Sequence, residues 1–316
     1  MSQTIAAIKS SIDASSSKRR ITRFGYIRDT TTLNSEITPK LDGLANTYQN
    51  PGPVLNRGYY ARVCAIDYAV AKFLSENTDH ASLNIVEVGA GCSTLCERIH
   101  SNELEINDEK SYKVNNLHFF RVDYEAVVSK RHPKFAENLS LDLNTCGSVD
   151  FIHYLSQQTS TFNKNTKTLF VFECVLMYLS PGIPEAIMKS INSSVKYYSL
   201  AIYDPIVKPF ENTQKKDHFS DVMIRNLESA GISRTTLLKY EKLGSFDTLL
   251  LPRGCVKVFF GDMLEFWNSS IVGVKHRAKC NSVEMLDEVE EFDLIMKHYA
   301  FLFLLSPPPP PFADLI

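Results

Sequence analysis

The most constraining feature of this chain is the junction at residues 83–91. Leu83–Val88 (LNIVEV) is a short, β-branched, apolar run, and Gly89-Ala90-Gly91 ends it. A continuous apolar run bounded by a turn signal reads as a strand buried on both faces. Glycine has no Cβ, so it lets backbone come close to a ligand. Thr94–His100 then opens a helix. Strand, glycine turn and helix together begin an open, doubly wound α/β sheet. The motif alone is weak, because two glycines beside a strand also make a plain structural turn. The third glycine of the dinucleotide fingerprint is missing, with Thr94 in its place.

The rest of the chain repeats the alternation. Leu117–Val122 (LHFFRV), Thr168–Phe172 (TLFVF), Tyr197–Tyr203 and Val256–Phe260 read as strands, and Ser140–Leu143 as a weaker one. His298–Leu305 fits a last strand or a continued helix. Helices are predicted over Tyr59–Leu74, Pro181–Ser194 and Asp217–Ala230, the last stopped by Gly231. Asn281 with Glu284 fits a capping box opening a helix with an apolar stripe at Met285, Val289, Phe292 and Met296. The prolines of residues 38–57 predict a loop. The polar, basic residues 1–30 predict a solvated helix face or arm. Pro307–Pro311 is a polyproline segment.

Charge and hydropathy exclude several classes. Lys and Arg number 34 against 36 Asp and Glu, a net charge of −2, which gives no electrostatic footprint for nucleic acid or an anionic membrane. The longest strongly apolar run, Tyr299–Leu305, falls far short of the roughly 20 residues a bilayer requires. Met1–Lys18 has no signal-peptide core. The seven cysteines are odd in number, scattered and free of any CxxC, so they read as free thiols in a reducing compartment. Cys92 and Cys96 have no matching histidine pair, and no metal site is expected. These features predict a soluble, cytoplasmic protein.

Asp123, Asp142 and Glu173 each close a predicted strand. The carboxyl ends of parallel strands line one crevice, where ligands bind. Acids there accept hydrogen bonds from ribose hydroxyls and from an adenine amino group. Each acid alone also reads as a helix N-cap. Gly91 and Asp123 lie 32 residues apart, against roughly 20 in the dinucleotide fold, which counts against a plain NAD dehydrogenase.

Longer strings narrow the choice. Asn56-Arg57-Gly58-Tyr59-Tyr60-Ala61-Arg62-Val63, Val86-Glu87-Val88-Gly89-Ala90-Gly91 and Glu173-Cys174-Val175-Leu176-Met177-Tyr178, in this order, resemble the leucine carboxyl methyltransferase family. Asp13-Ala14-Ser15, Lys18-Arg19, Gly25-Tyr26, Asp217-His218-Phe219 and Lys297-His298-Tyr299 extend the resemblance from about residue 13 to about residue 303. It implies a class I S-adenosylmethionine-dependent methyltransferase, an α/β Rossmann-like fold with about seven mostly parallel strands. The chain is then one domain over 1–316. Residues 1–80 form a helical N-terminal cover, 81–305 the sheet core with insertions on the substrate side, and 306–316 a proline-rich tail.

The resemblance also implies residue roles. Lys18 and Arg62 lie at the cofactor, with Arg62 meeting its carboxylate. Gly89 passes beneath the methionine part, and Asp123 holds the ribose hydroxyls. Asp142 and Leu143 border the adenine, although the segment before Asp142 is shorter than the family's usual one. Glu173 lies near the amino end. Tyr178 and Tyr203 are candidates for the substrate carboxylate pocket, and each also reads as a core aromatic. The implied reaction methylates the C-terminal leucine carboxylate of the protein phosphatase 2A catalytic subunit, by a monomer needing no general base. Three alternatives stay open. One is a small-molecule carboxyl methyltransferase, and one a non-catalytic protein that binds a phosphatase tail. The last is the family's tRNA-modifying branch, disfavoured by the absence of a propeller extension.

Overall fold

The structure is a computed structural model that describes residues 3–31, 51–78, 82–106, 116–131, 133–208, 217–229, 231–232 and 255–306. The predicted polyproline segment lies outside them.

Seven strands form one sheet: β1 (Leu83–Val88), β2 (Leu117–Asp123), β3 (Glu137–Ser140), β4 (Lys167–Glu173), β5 (Tyr198–Pro205), β6 (Val256–Asp262) and β7 (Tyr299–Leu305). Their order is β3-β2-β1-β4-β5-β7-β6. Strands β1 to β5 pair in parallel, while β7 lies antiparallel between β5 and β6. Every residue of β1 is buried, as its unbroken apolar run predicts.

Side chains alternate between two cores. Leu83, Ile85, Phe119, Leu169, Val171 and Phe301 face one cluster, and Val86, Val88, Phe120, Phe170, Phe172 and Leu302 face the other. The first core is closed by α1 (Gln3–Arg23) and α2 (Pro53–Ser75). Helix α2 starts at Pro53, inside the segment read as loop, because proline needs no N–H partner at the first turn. Helix α1 is a regular 21-residue element whose Ala6, Ser17, Arg19, Ile21 and Thr22 are buried. Three of its polar residues are thus buried, where the basic composition alone read as a solvated face or arm.

Between strands run α3 (Leu95–His100), α4 (Glu125–Val128), α5 (Phe151–Gln158), α6 (Ile183–Ser194) and α7 (His218–Ser229). After β6 come α8 (Met263–Asn268), α9 (Gly273–Val283) and α10 (Val289–Met296). Two local expectations differ. The third strand is Glu137–Ser140, not 140–143, and Leu143–Gly147 forms a 3-10 turn capped by Asp142. The Asn281/Glu284 capping box does not form. Helix α9 runs through Asn281, the chain extends at Glu284, and Met285 stands 79% exposed. Glu284 accepts instead from Tyr26 Oη (2.8 Å) and Asn56 Nδ2 (2.9 Å), a tertiary use that overrides the local cap. A capping box does form at Asp262 and Glu265.

The antiparallel side rests on aromatic packing. Phe301 is fully buried, stacks on Phe259 (5.6 Å) and meets Phe266 edge-on (5.0 Å). Phe301→Ala is expected to lower unfolding free energy by about 3–5 kcal/mol, read from a denaturant midpoint.

Candidate active site

Strand β1 is hydrogen-bonded to β2 on one side and to β4 on the other, so the strand order reverses there. A reversal leaves a crevice outside the strands' carboxyl ends. A cavity of about 280 Å³ occupies it.

The floor is the glycine turn. Gly89 has φ 69° and Gly91 φ 54°, the left-handed region that side chains disfavour. The Gly89 N–H donates to Val122 O at 2.8 Å. A Cβ on Gly89 would collide with Val175, its Cβ only 2.9 Å away, and one on Gly91 would press on Ser11 of α1. Asp123, at the end of β2, locks this turn. Its Oδ2 accepts from Gly91 N and its Oδ1 from Tyr124 N, both at 2.7 Å. Burial raises the Asp123 pKa, opposed by these two N–H groups.

The opposite wall is a charged triad. Glu173, the last residue of β4, receives Lys18 of α1 at 3.0 and 3.2 Å and Arg62 Nε of α2 at 2.5 Å. Burial pushes the carboxyl up, but Lys18 and Arg62 outweigh it and hold its pKa at about 2. Arg62 also lies over the Tyr203 ring at 5.3 Å. Next to Glu173, Cys174 takes φ 55°, a rare conformation for a side-chain-bearing residue, and its N–H donates to Tyr203 O at 2.7 Å. This bend swings Val175 under Gly89 and leads into a 3-10 turn, Leu176–Tyr178. Tyr178 Oη donates to Ser10 Oγ of α1 at 2.5 Å.

Lys18, Arg62, Gly89, Asp123, Leu143, Glu173 and Tyr178 therefore surround one cavity. Asp142 is exposed and accepts from Asn144 N at 3.0 Å, the N-cap reading of that acid. Tyr203 lies behind Arg62, stacked on Tyr299 at 5.3 Å, not on the cavity wall.

Two acids escaped the sequence reading. Glu87 of β1 is buried, lines the cavity and approaches Arg121 at 3.9 Å, and burial raises its pKa to about 7. Asp204 of β5 is also buried, and its pKa rises to about 7 by burial against three backbone N–H groups. An acid inside an apolar run was the available signal in both cases, since a buried carboxylate needs partners.

Comparison with known proteins agrees with this geometry. Residues 22–192, more than half of the chain, match the family model for leucine carboxyl methyltransferase. The chain belongs to the leucine carboxyl methyltransferase family. It is 28% identical over 286 residues to leucine carboxyl methyltransferase 1 of Candida albicans, covering 79% of this chain and 74% of that protein. It is 26% identical to the Schizosaccharomyces pombe protein of the same name, covering 92% of each. The Arabidopsis thaliana homolog is 26% identical, with 93% and 87% covered. A DUF574 family protein from Streptomyces avermitilis shares the fold, with TM-score 0.51 at 12% identity, over 81% of this chain and 86% of that one.

Family members use S-adenosylmethionine, and the cavity suits it. The bare backbone at Gly89 leaves room that a Cβ would fill. The Lys18 and Arg62 cations suit a carboxylate. Each Asp123 oxygen takes one N–H, leaving lone pairs for hydroxyl donors.

Gly89→Ala is expected to weaken S-adenosylhomocysteine binding by more than about tenfold, since its Cβ meets Val175; calorimetry reads this. Glu87 also predicts a pH effect. Its folded pKa, about 7, lies above the unfolded value of 4.5. Its contribution to stability is therefore full below pH ~4.5 and is lost as pH rises through 7. Glu87→Gln should match wild type at pH 4.5 and melt higher at pH 8.

Proposed function

We propose that this protein methylates the α-carboxylate of the C-terminal leucine of the protein phosphatase 2A catalytic subunit. The observation carrying the reading is the Lys18–Glu173–Arg62 triad facing the Gly89 turn and Asp123 across one crevice. The relatives' names supply the leucine carboxylate as the group acted on.

S-adenosylmethionine supplies a methyl group activated by a sulfonium. The chain's residues bind and orient. Lys18 and Arg62 receive the methionine carboxylate, Glu173 faces the amino end, and Asp123 accepts from the ribose hydroxyls. Leu143 gives apolar surface for the adenine, with Asp142 at its border. A peptide carboxylate has a pKa near 3.5 and is ionised at neutral pH, so no proton needs removal. What remains is alignment of oxygen, carbon and sulfur, and exclusion of water.

Tyr178 is the donor for the incoming carboxylate. Burial raises its pKa, so it stays a neutral hydroxyl. Met177 and Leu227 of α7 line the same end of the cavity and offer apolar surface to a leucine side chain. Tyr203 supports Arg62 from behind. The enzyme acts as a cytoplasmic monomer in this reading, consistent with seven free cysteines. Among the described residues, no helix is long and apolar enough to cross a membrane.

The test is methyl transfer from labelled S-adenosylmethionine to the phosphatase catalytic subunit. Label is expected on the intact subunit and absent from one lacking its terminal leucine; equal labelling of both overturns the reading. Tyr178→Phe should raise KM for the phosphatase about tenfold, the loss of one hydrogen bond to a charge. Affinity for S-adenosylhomocysteine should stay within about twofold of wild type.

A further inference from the structure

Asp204 is an acid that the cofactor and substrate assignments leave unused. It is the penultimate residue of β5, only 2% exposed. Its neighbours Ile202 and Ile206 belong to the apolar core on one sheet face, as do Val175 and Leu176. Its Oδ2 accepts from Val175 N at 3.1 Å and from Leu176 N at 2.9 Å, and the Met177 N–H that follows also favours the carboxylate. Arg62 is the cation whose charge reaches it, and Arg62 is itself bonded to Glu173.

These three N–H groups begin the turn that carries the cavity's far wall. Amides at the start of a 3-10 turn have no partner within it. In water they would be solvated, but here they point into the core. One carboxylate accepts from the first two and faces the third. The turn follows the left-handed Cys174, so its direction is not set by regular strand geometry. It presents Met177 and Tyr178 to the cavity.

We infer that Asp204 is a positioning residue for the methyl acceptor: its carboxylate fixes the Val175–Met177 amides and thereby places the Tyr178 hydroxyl. This rests on the reading of Tyr178 as the substrate donor. Asparagine at 204 has the same shape and keeps one acceptor oxygen, but it loses the charge that strengthens these bonds and puts an NH2 donor in place of Oδ1. Asp204→Asn should therefore loosen the turn without emptying the core.

The experiment is a double-mutant cycle at pH 8 on the full-length enzyme, with the phosphatase catalytic subunit as acceptor. Asp204→Asn is expected to raise KM by about tenfold or more, with S-adenosylhomocysteine affinity within about threefold of wild type. Tyr178→Phe, costing about tenfold alone, should cost less than about threefold on top of Asp204→Asn. A tenfold cost in both backgrounds overturns the inference, because a merely structural acid does not couple to Tyr178. Asp204→Glu, which keeps the charge but shifts it by one methylene, runs the same cycle if the Asn variant fails to fold. Amide exchange on wild type decides independently: protected Val175–Met177 amides are expected, and exchange at unstructured-chain rates overturns the inference. Wild type that binds S-adenosylhomocysteine but methylates no leucine-ended phosphatase fails the functional reading instead. The exchange result then still decides on the turn.

Discussion

A carboxylate at the end of a buried strand cannot stay ionised alone, because desolvating an unpaired charge costs far more than a domain can spare. Glu173 meets this condition with two cations from two different helices, Lys18 of α1 and Arg62 of α2. The consequence reaches well beyond one ion pair. It pins the cover to the sheet at the point where the strand order reverses. Apolar contacts alone could hold α1 in several registers, since its pocket-facing residues Ala7, Ser10, Ser11 and Ala14 are small and alike. A charge that must meet Glu173 selects one of them. Tyr178 bonded to Ser10 agrees with that register.

The second dependence runs through close approach. Gly89 and Val175 leave no room for a Cβ between them, so the turn after β1 and the turn after β4 are in contact. Asp123 reaches the same glycine turn from β2, and Asp204 reaches the Val175 turn from β5. Four neighbouring strands therefore fix the crevice through their terminal residues. Each link is an acid accepting backbone N–H groups or a contact that only glycine permits. Loops held this way behave as extensions of the sheet, which suits a reaction governed by alignment.

Much of this was legible in the sequence, for identifiable reasons. Strands buried on both faces are continuous apolar runs, so β1, β2, β4 and β5 stand out within a residue or two of their observed limits. An acid at a strand end is visible, and Asp123 and Glu173 lie on the cavity. What escaped depends on tertiary partners. Glu284 looks like a helix cap until Tyr26 and Asn56 claim it from hundreds of residues away. The four-residue β3 has too little periodicity to place, and its misplacement carries Asp142 with it. Helix α1 reads as solvated because its buried side chains include Ser17, Arg19 and Thr22, whose burial the local pattern does not mark; the two hydroxyls bond back to Asp13 O and Lys18 O of the same helix.

The acids at the crevice also divide by charge state, and the division has a physical basis. Glu173 stays ionised because two cations bond to it directly, whereas Asp204 is bonded by peptide N–H groups with Arg62 acting on it only through space, and Glu87 meets the Arg121 guanidinium at the looser distance of 3.9 Å. Peptide dipoles satisfy hydrogen-bonding capacity without supplying net charge, so burial lifts the pKa of Asp204 to about 7. A methionine end carries one carboxylate and one ammonium. In the proposed reading, the triad would give such a zwitterion Lys18 and Arg62 for its carboxylate and Glu173 for its ammonium. Total charge is conserved and each partner is exchanged for a like one. The triad thus holds the site's charges in a paired state that a zwitterion can enter without leaving any of them alone.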